Sequence, residues 1–152
     1  MGSTLVIGYG NAIRGDDAVG WRAACELEDG ELPDGVEVVP AQQLSPEMAP
    51  EVSEADRVIF VDASCEGTPG EVSCRKLSPR PMSLGEMPHS LGPADLLGLA
   101  QQLYDRSPAG FLITLCGENF EFGDALSPAV EDAFPELLQR VRKLLQDEHQ
   151  RR

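Results

Sequence analysis

The chain has 152 residues, which is enough for one ordinary domain with a sizeable buried core. Hydrophobic residues make up 41 % and charged residues 25 % of it, a composition typical of soluble globular proteins. The 26 acidic residues outnumber the 12 basic ones and give a net charge of −14, so we expect neither nucleic acid nor a membrane as a partner.

In chain order, short strand patterns alternate with helical ones. The apolar run 4–8 predicts a strand buried on both faces, and a helical pattern follows at 17–28. A second strand is predicted at 36–40. Ser45 and Pro46 then have the types expected of a helix N-cap and of the first helical residue.

The alternation continues in the second half of the chain. Strands are predicted at 57–64, at 70–77 near a sheet edge and at 110–117, and helical patterns span 93–103 and 130–145. Strands separated by helices imply βαβ units. We therefore predict an α/β fold of three layers, α/β/α, with a mainly parallel twisted sheet of about five strands. Residues 1–147 are expected to form this single domain, and residues 148–152 a frayed tail.

The stretch GYGNAIRGDDAVG (8–20) interrupts the first strand with Gly-x-Gly, as phosphate-binding loops do. A dinucleotide fingerprint needs a third glycine where this chain has Ile13, and Asp16 and Asp17 would repel a pyrophosphate at the helix N-terminus. We therefore expect no nucleotide cofactor. Helix capping explains one of the two aspartates and leaves the other free to meet a cation.

Asp17, Asp62 and His89 each come after a predicted strand. In a doubly wound sheet the binding crevice lies beyond the C-terminal ends of the strands, so the three side chains are expected at one rim. Two carboxylates and an imidazole suit a divalent metal such as Ni²⁺, Zn²⁺ or Mn²⁺. Each residue also has a plain structural explanation: Asp17 as a helix cap, Asp62 as a turn residue and His89 as a surface loop residue.

Three segments, in this order, resemble the signatures of the [NiFe]-hydrogenase maturation endopeptidases. They are LVIGYGNAIRGDDAVG (5–20), VIFVDAS (58–64) and PHSLGPADLLGLA (88–100). The resemblance extends over nearly the whole chain. It implies a peptidase that removes the C-terminal extension of a [NiFe]-hydrogenase large-subunit precursor after nickel insertion. The four cysteines show no C-x-x-C pair and no zinc spacing, so we expect reduced thiols in a cytoplasmic protein, and we expect a monomer.

The same resemblance implies that Asp17, Asp62 and His89 are the metal ligands and the catalytic set. The nickel is then carried by the substrate precursor, and we expect it to polarise the scissile carbonyl group or to activate a water molecule. Asp16 matches an acidic position of the motif that is not a ligand, and it is either a cap or a general base. Gln42, in AQQLSPEMA (41–49), replaces the histidine of one version of the family's His-Gln-Leu segment, which we expect to face the precursor.

The sequence alone leaves open three alternatives to a metal-dependent peptidase. Cys65 or Cys116 would serve as a nucleophile only with a lowered thiol pKa, and nearby carboxylates would raise it. A phosphorelay receiver domain would use the acidic pair and Asp62 to bind Mg²⁺ and accept phosphate. A nickel-sensing chaperone would bind the same precursor without cutting it.

Overall fold

The structure, a computed structural model, describes residues 2–82 and 91–150, with only the backbone of residues 147–150. The strands are β1 (Thr4–Tyr9), β2 (Val36–Ala41), β3 (Arg57–Ser64), β4 (Val72–Leu77) and β5 (Ala109–Cys116). The α-helices are α1 (Val19–Asp29), α2 (Ala49–Glu54), α3 (Pro93–Tyr104) and α4 (Pro128–Gln150), and 3-10 turns form at Gly15–Ala18 and Pro46–Met48. Every strand and helix predicted from the sequence is therefore present. In the described ranges, no helix has the length and apolar character needed to span a bilayer.

The five strands form one sheet in the order β2-β1-β3-β5-β4. Strands β2, β1, β3 and β5 are parallel, and β4 alone runs antiparallel, beside β5 at one edge. The connection from β3 to β4 is only a short loop, which is why β4 cannot return as a parallel strand. The prediction of a mainly parallel sheet of about five strands, with 70–77 near an edge, is confirmed.

Helices cover both faces of the sheet and make three layers. Alternate residues of each strand point to opposite faces, so that Val6 belongs to one apolar cluster while Leu5 and Ile7 belong to the other. The first cluster is completed by α1 and α4, and the second by α2 and α3. Burial of the strands on both faces explains their nearly continuous apolar sequences.

Glycines bring α1 very close to the sheet. A Cβ atom at Gly20 would overlap the backbone oxygens of Tyr9 and Val61, and one at Gly10 would overlap the backbone oxygen of Asp17. The Gly-x-Gly pattern at the end of β1 therefore serves the packing of the first loop and helix on the sheet. This packing sets the position of the turn that carries Asp16 and Asp17.

Candidate active site

Asp17 and Asp62 lie together at the carboxyl edge of the parallel strands. Strands β1 and β3 are neighbours, with Gly8 paired with Val61, so Asp62 is located level with the end of β1. Asp17 lies in the turn that follows β1. The two groups interact electrostatically, since the charge of Asp17 contributes to the raised pKa of Asp62. The structure thus places these two of the predicted site residues close enough to interact.

The Asp62 carboxyl group is half-buried and holds its proton more tightly than usual. Burial is the main cause that raises its pKa to about 6, and the charge of Asp17 adds to it. Hydrogen bonds from Tyr9 and from the backbone amide of Ala63, the latter at 2.7 Å, act in the opposite direction. Two carboxylates held close together in this way would be stabilised by a cation between them. The donor chemistry therefore fits a divalent metal.

Tyr9, the last residue of β1, is a member of this site that the sequence analysis missed. Its hydroxyl group donates a hydrogen bond to Asp62, and the pKa of Tyr9 is raised by burial, by the charge and hydrogen bond of Asp62, and by Asp17. Its side chain packs with the α2–α3 cluster, as do alternate residues of β3 up to Phe60. The register of the strands would have identified Tyr9, because Tyr9 is the last residue of the strand that lies beside the strand carrying Asp62.

Asp17 is half-buried, and its carboxylate is oriented by the loop that precedes it. Oδ2 of Asp17 accepts a hydrogen bond from the backbone amide of Asn11 at 2.9 Å. Oδ1 of Asn11 in turn accepts one from the amide of Ile13 at 3.1 Å. Neither the 3-10 turn nor α1 has a side-chain cap. The helix-cap explanation of Asp17 is therefore wrong, because its partner lies before the helix.

Asp16 is fully buried, and its role is purely structural. Its carboxylate accepts hydrogen bonds from the backbone amides of Glu118, Asn119 and Ser127 at 2.7, 2.9 and 2.8 Å, and from the Ser127 hydroxyl at 2.8 Å. Burial raises the pKa of this carboxyl group, but these hydrogen bonds outweigh burial and lower the pKa below its usual value. The suggestions that Asp16 caps its own helix or acts as a general base are both wrong, because every donor comes from the loop after β5 and no solvent reaches the group.

The third predicted ligand, His89, lies outside the described residues, in the segment 83–90. Within residues 2–82 and 91–150, no three His, Cys, Asp or Glu side chains cluster closely enough to hold a metal ion. Asp17 and Asp62 are therefore the part of the predicted triad that the structure brings together.

A cleft of about 440 Å³ opens beside Asp62 on the β3–β5–β4 side of the sheet. Polar side chains line much of it, among them Asp62, Ser64, Glu71, Ser73, Arg75 and Thr114. Thr114 is paired with Asp62 on one side and with Ser73 on the other, so this part of the sheet presents a polar row across three strands. Such a cleft has room for several residues of an extended peptide chain.

The cysteines give no support to a thiolate nucleophile. Cys116 is buried, and burial together with Glu71 and Cys65 raises the pKa of its thiol. Cys65 and Cys74 are exposed and, like the other two cysteines, are not in a disulfide. A nucleophilic thiolate requires a lowered pKa, so the expectation that carboxylates work against this chemistry holds for Cys116.

The strand order also tests the alternative that the chain is a phosphorelay receiver domain. Receiver domains have the flavodoxin-like order 2-1-3-4-5. Here the last two positions are exchanged, and β4 is antiparallel. The chain is therefore not a receiver domain.

Comparison with known proteins found a curated relative that is similar to this chain over almost its full length. No model of a protein family matches the chain. The hydrogenase 2 maturation protease of Escherichia coli (strain K12) is 28 % identical over 148 residues, which cover 94 % of this chain and 90 % of that protein.

Solved structures give the same result. The hydrogenase maturating endopeptidase HybD from Escherichia coli superposes with a TM-score of 0.74 at 25 % identity, covering 96 % of this chain and 93 % of that one. The hydrogenase 2 maturation peptidase from Thaumarchaeota archaeon SCGC_AB-539-E09 gives a TM-score of 0.70 at 26 % identity, covering 94 % and 97 %. By sequence and by fold, the chain is therefore similar to hydrogenase maturation endopeptidases over almost its whole length.

Proposed function

We propose that this protein removes the C-terminal extension of a [NiFe]-hydrogenase large-subunit precursor after nickel has been inserted. The whole-chain similarity to hydrogenase maturation proteases supports a processing peptidase. Asp17 and Asp62 lie close together at the carboxyl edge of the sheet, and this observation supports placing the active site there.

In this proposal Asp17, Asp62 and His89 bind the nickel that the precursor carries. The chain itself supplies the negative charge: the pKa of Asp62 is raised first by burial and then by the nearby charge of Asp17. A divalent cation arriving with the substrate brings a positive charge that compensates both carboxylates. Nickel-dependent recognition then follows from the electrostatics of the site, since an unloaded precursor brings no compensating charge.

Each of the described residues has a distinct part in the reaction. Asp17 and Asp62 bind the nickel and fix the scissile peptide bond relative to it, and the nickel provides the Lewis acid. Tyr9 orients Asp62 through its hydroxyl group. The polar cleft beside Asp62 holds the extended C-terminal segment of the precursor.

The proposal is tested by the intact mass of a nickel-loaded large-subunit precursor after incubation with the protein. We expect the loss of a C-terminal peptide with the wild type and none with Asp17→Asn or Asp62→Asn. These substitutions keep the shape of the side chain and remove its charge. A precursor without nickel is the matched control and is expected to stay intact.

Two results would contradict the proposal. Normal processing by both Asn variants would exclude the carboxylate pair as the site. A stable complex without cleavage in every case would instead indicate a nickel-sensing chaperone that binds the precursor.

A further inference from the structure

Two large apolar side chains protrude into solvent close to the candidate site. Phe122 is 83 % exposed and Ile13 is 57 % exposed. They lie side by side, because Arg14 and Gly123 form a parallel bridge and the amide of Gly123 donates to the backbone oxygen of Ile13 at 2.9 Å. We call the Ile13 and Phe122 side chains together the apolar ridge.

The loops under the ridge are held firmly in place. The amide of Gly15 donates to the backbone oxygen of Gly123 at 2.9 Å, and that of Asp16 donates to Asn119 at 2.9 Å. Gly15 has φ of +54°, and a Cβ atom there would lie 2.5 Å from the backbone oxygen of Asn119, so the two loops pack too closely for another residue.

Side chains add further anchors to the second loop. Asp16 binds it through four hydrogen bonds. The Arg22 guanidinium of α1 donates to the backbone oxygen of Asp124, and Arg14 donates to that of Phe120 at 3.4 Å. Phe122 thus stays exposed on a loop that is tied down around it. A preorganised apolar surface loses little conformational entropy when it binds a partner.

The ridge lies close to Asp17 of the candidate site. Ile13 precedes Asp17 by four residues, so their Cα atoms are at most roughly 14 Å apart. A stable protein interface buries roughly 800 Å² on each partner, and a patch of that area is roughly 30 Å across. An interface of that size centred on Asp17 would therefore include the ridge.

We propose that the apolar ridge is the docking surface for the folded body of the large-subunit precursor, separate from the cleft that takes its C-terminal segment. Exposed carboxylates lie on the same loop as Phe122, at Glu118, Glu121 and Asp124. An apolar centre with an acidic rim fits a partner surface that has an apolar centre and basic residues around it. This inference rests on the proposed function for the identity of the partner.

The test compares steady-state processing of the nickel-loaded precursor by the wild type, Phe122→Ser and Ile13→Ser. The matched control is Leu103→Ser, because Leu103 is 54 % exposed and lies near the C-terminus of α3, which leads back to the opposite, amino edge of the sheet. For each ridge variant we expect KM to rise about tenfold or more with kcat retained, as for truncation of an interface hot spot. Leu103→Ser should behave as the wild type. Circular dichroism should show that all the variants fold, since these side chains are largely exposed.

Co-elution of the precursor with each variant on size exclusion gives a second readout that does not require cleavage. If the wild type binds the precursor without cutting it and Phe122→Ser does not bind it, the docking role of the ridge is supported and the proposed peptidase activity is contradicted. A ridge variant indistinguishable from Leu103→Ser would overturn the ridge alone. Absence of both cleavage and binding with the wild type would overturn both. Loss of a wild-type dimer in Phe122→Ser, with processing unchanged, would show that the ridge binds a second copy of this chain instead.

Discussion

The Tyr9 hydroxyl group donates a hydrogen bond to the Asp62 carboxyl group, and thereby joins the ends of the neighbouring strands β1 and β3. This hydrogen bond lowers the pKa of Asp62, against burial and the charge of Asp17, which raise it to about 6. Tyr9 therefore favours the ionised form of Asp62.

A dependence of processing on pH follows from this arrangement. In the proposed mechanism Asp62 must be ionised in the free enzyme to receive the nickel of the substrate, so kcat/KM should fall as the pH drops below about 6. Tyr9→Phe removes the hydrogen bond that lowers the pKa of Asp62. The acidic limb of the pH profile should therefore move to higher pH in this variant, while the rate at alkaline pH is retained. The check is kcat/KM measured from pH 5 to pH 9 for both proteins; coincident acidic limbs would contradict the role given to Tyr9.

The second prediction concerns the buried carboxylate. Asp16→Ala leaves three backbone amides and one hydroxyl group without their acceptor in a site that no solvent reaches. We expect the free energy of unfolding to fall by about 3 kcal/mol, the upper range for loss of a buried hydrogen-bond partner. Urea denaturation measures it. Asp17→Ala is the matched control, and because Asp17 accepts a single amide hydrogen bond it should lose about 1 kcal/mol. Equal losses in the two variants would show that Asp16 is not the anchor of the loop.

The third prediction concerns the thiols. The pKa of Cys116 is raised by burial and by Glu71 and Cys65, so this group is a thiol and not a thiolate near neutral pH. Cys65→Ser and Cys116→Ala should therefore process the precursor at the rate of the wild type. In native protein, iodoacetamide should label the exposed Cys65 and Cys74 first, as peptide mass mapping would show. Loss of cleavage in a correctly folded Cys65→Ser variant would support covalent catalysis instead.

The fourth prediction concerns substrate choice. Gln42 is exposed and directly follows β2, so it lies at the same edge of the sheet as Asp17 and Asp62. If this segment contacts the precursor, Gln42→Ala should raise KM and leave kcat unchanged. Gln101→Ala is the matched control, because Gln101 is exposed on α3 near its C-terminal end, away from that edge. An unchanged KM in Gln42→Ala would remove Gln42 from the interface.

The alternation of apolar strands with amphipathic helices was sufficient to predict the layers of this fold. Buried strands such as 57–64 have continuous apolar sequences because both faces of the sheet are covered, and the helical segments repeat their apolar residues every three or four positions. The same logic placed Asp17 and Asp62 at one rim, since parallel strands all end at the same edge. The layers and the common edge depend only on the local pattern of apolar residues and on the direction of the strands. Both can be read from the order of the residues.

Only the tertiary structure decided what each of the two adjacent aspartates does. Asp16 and Asp17 are neighbours of the same type, yet one is buried against a loop more than a hundred residues later and the other faces the site. In the same way, Tyr9 became part of the site through the register of β1 against β3, and Phe122 came to lie beside Ile13 through a pairing between distant loops. The hydrogen bonds and charges that define these roles join residues far apart in the chain, so their energies arise only when the sheet brings the loops together.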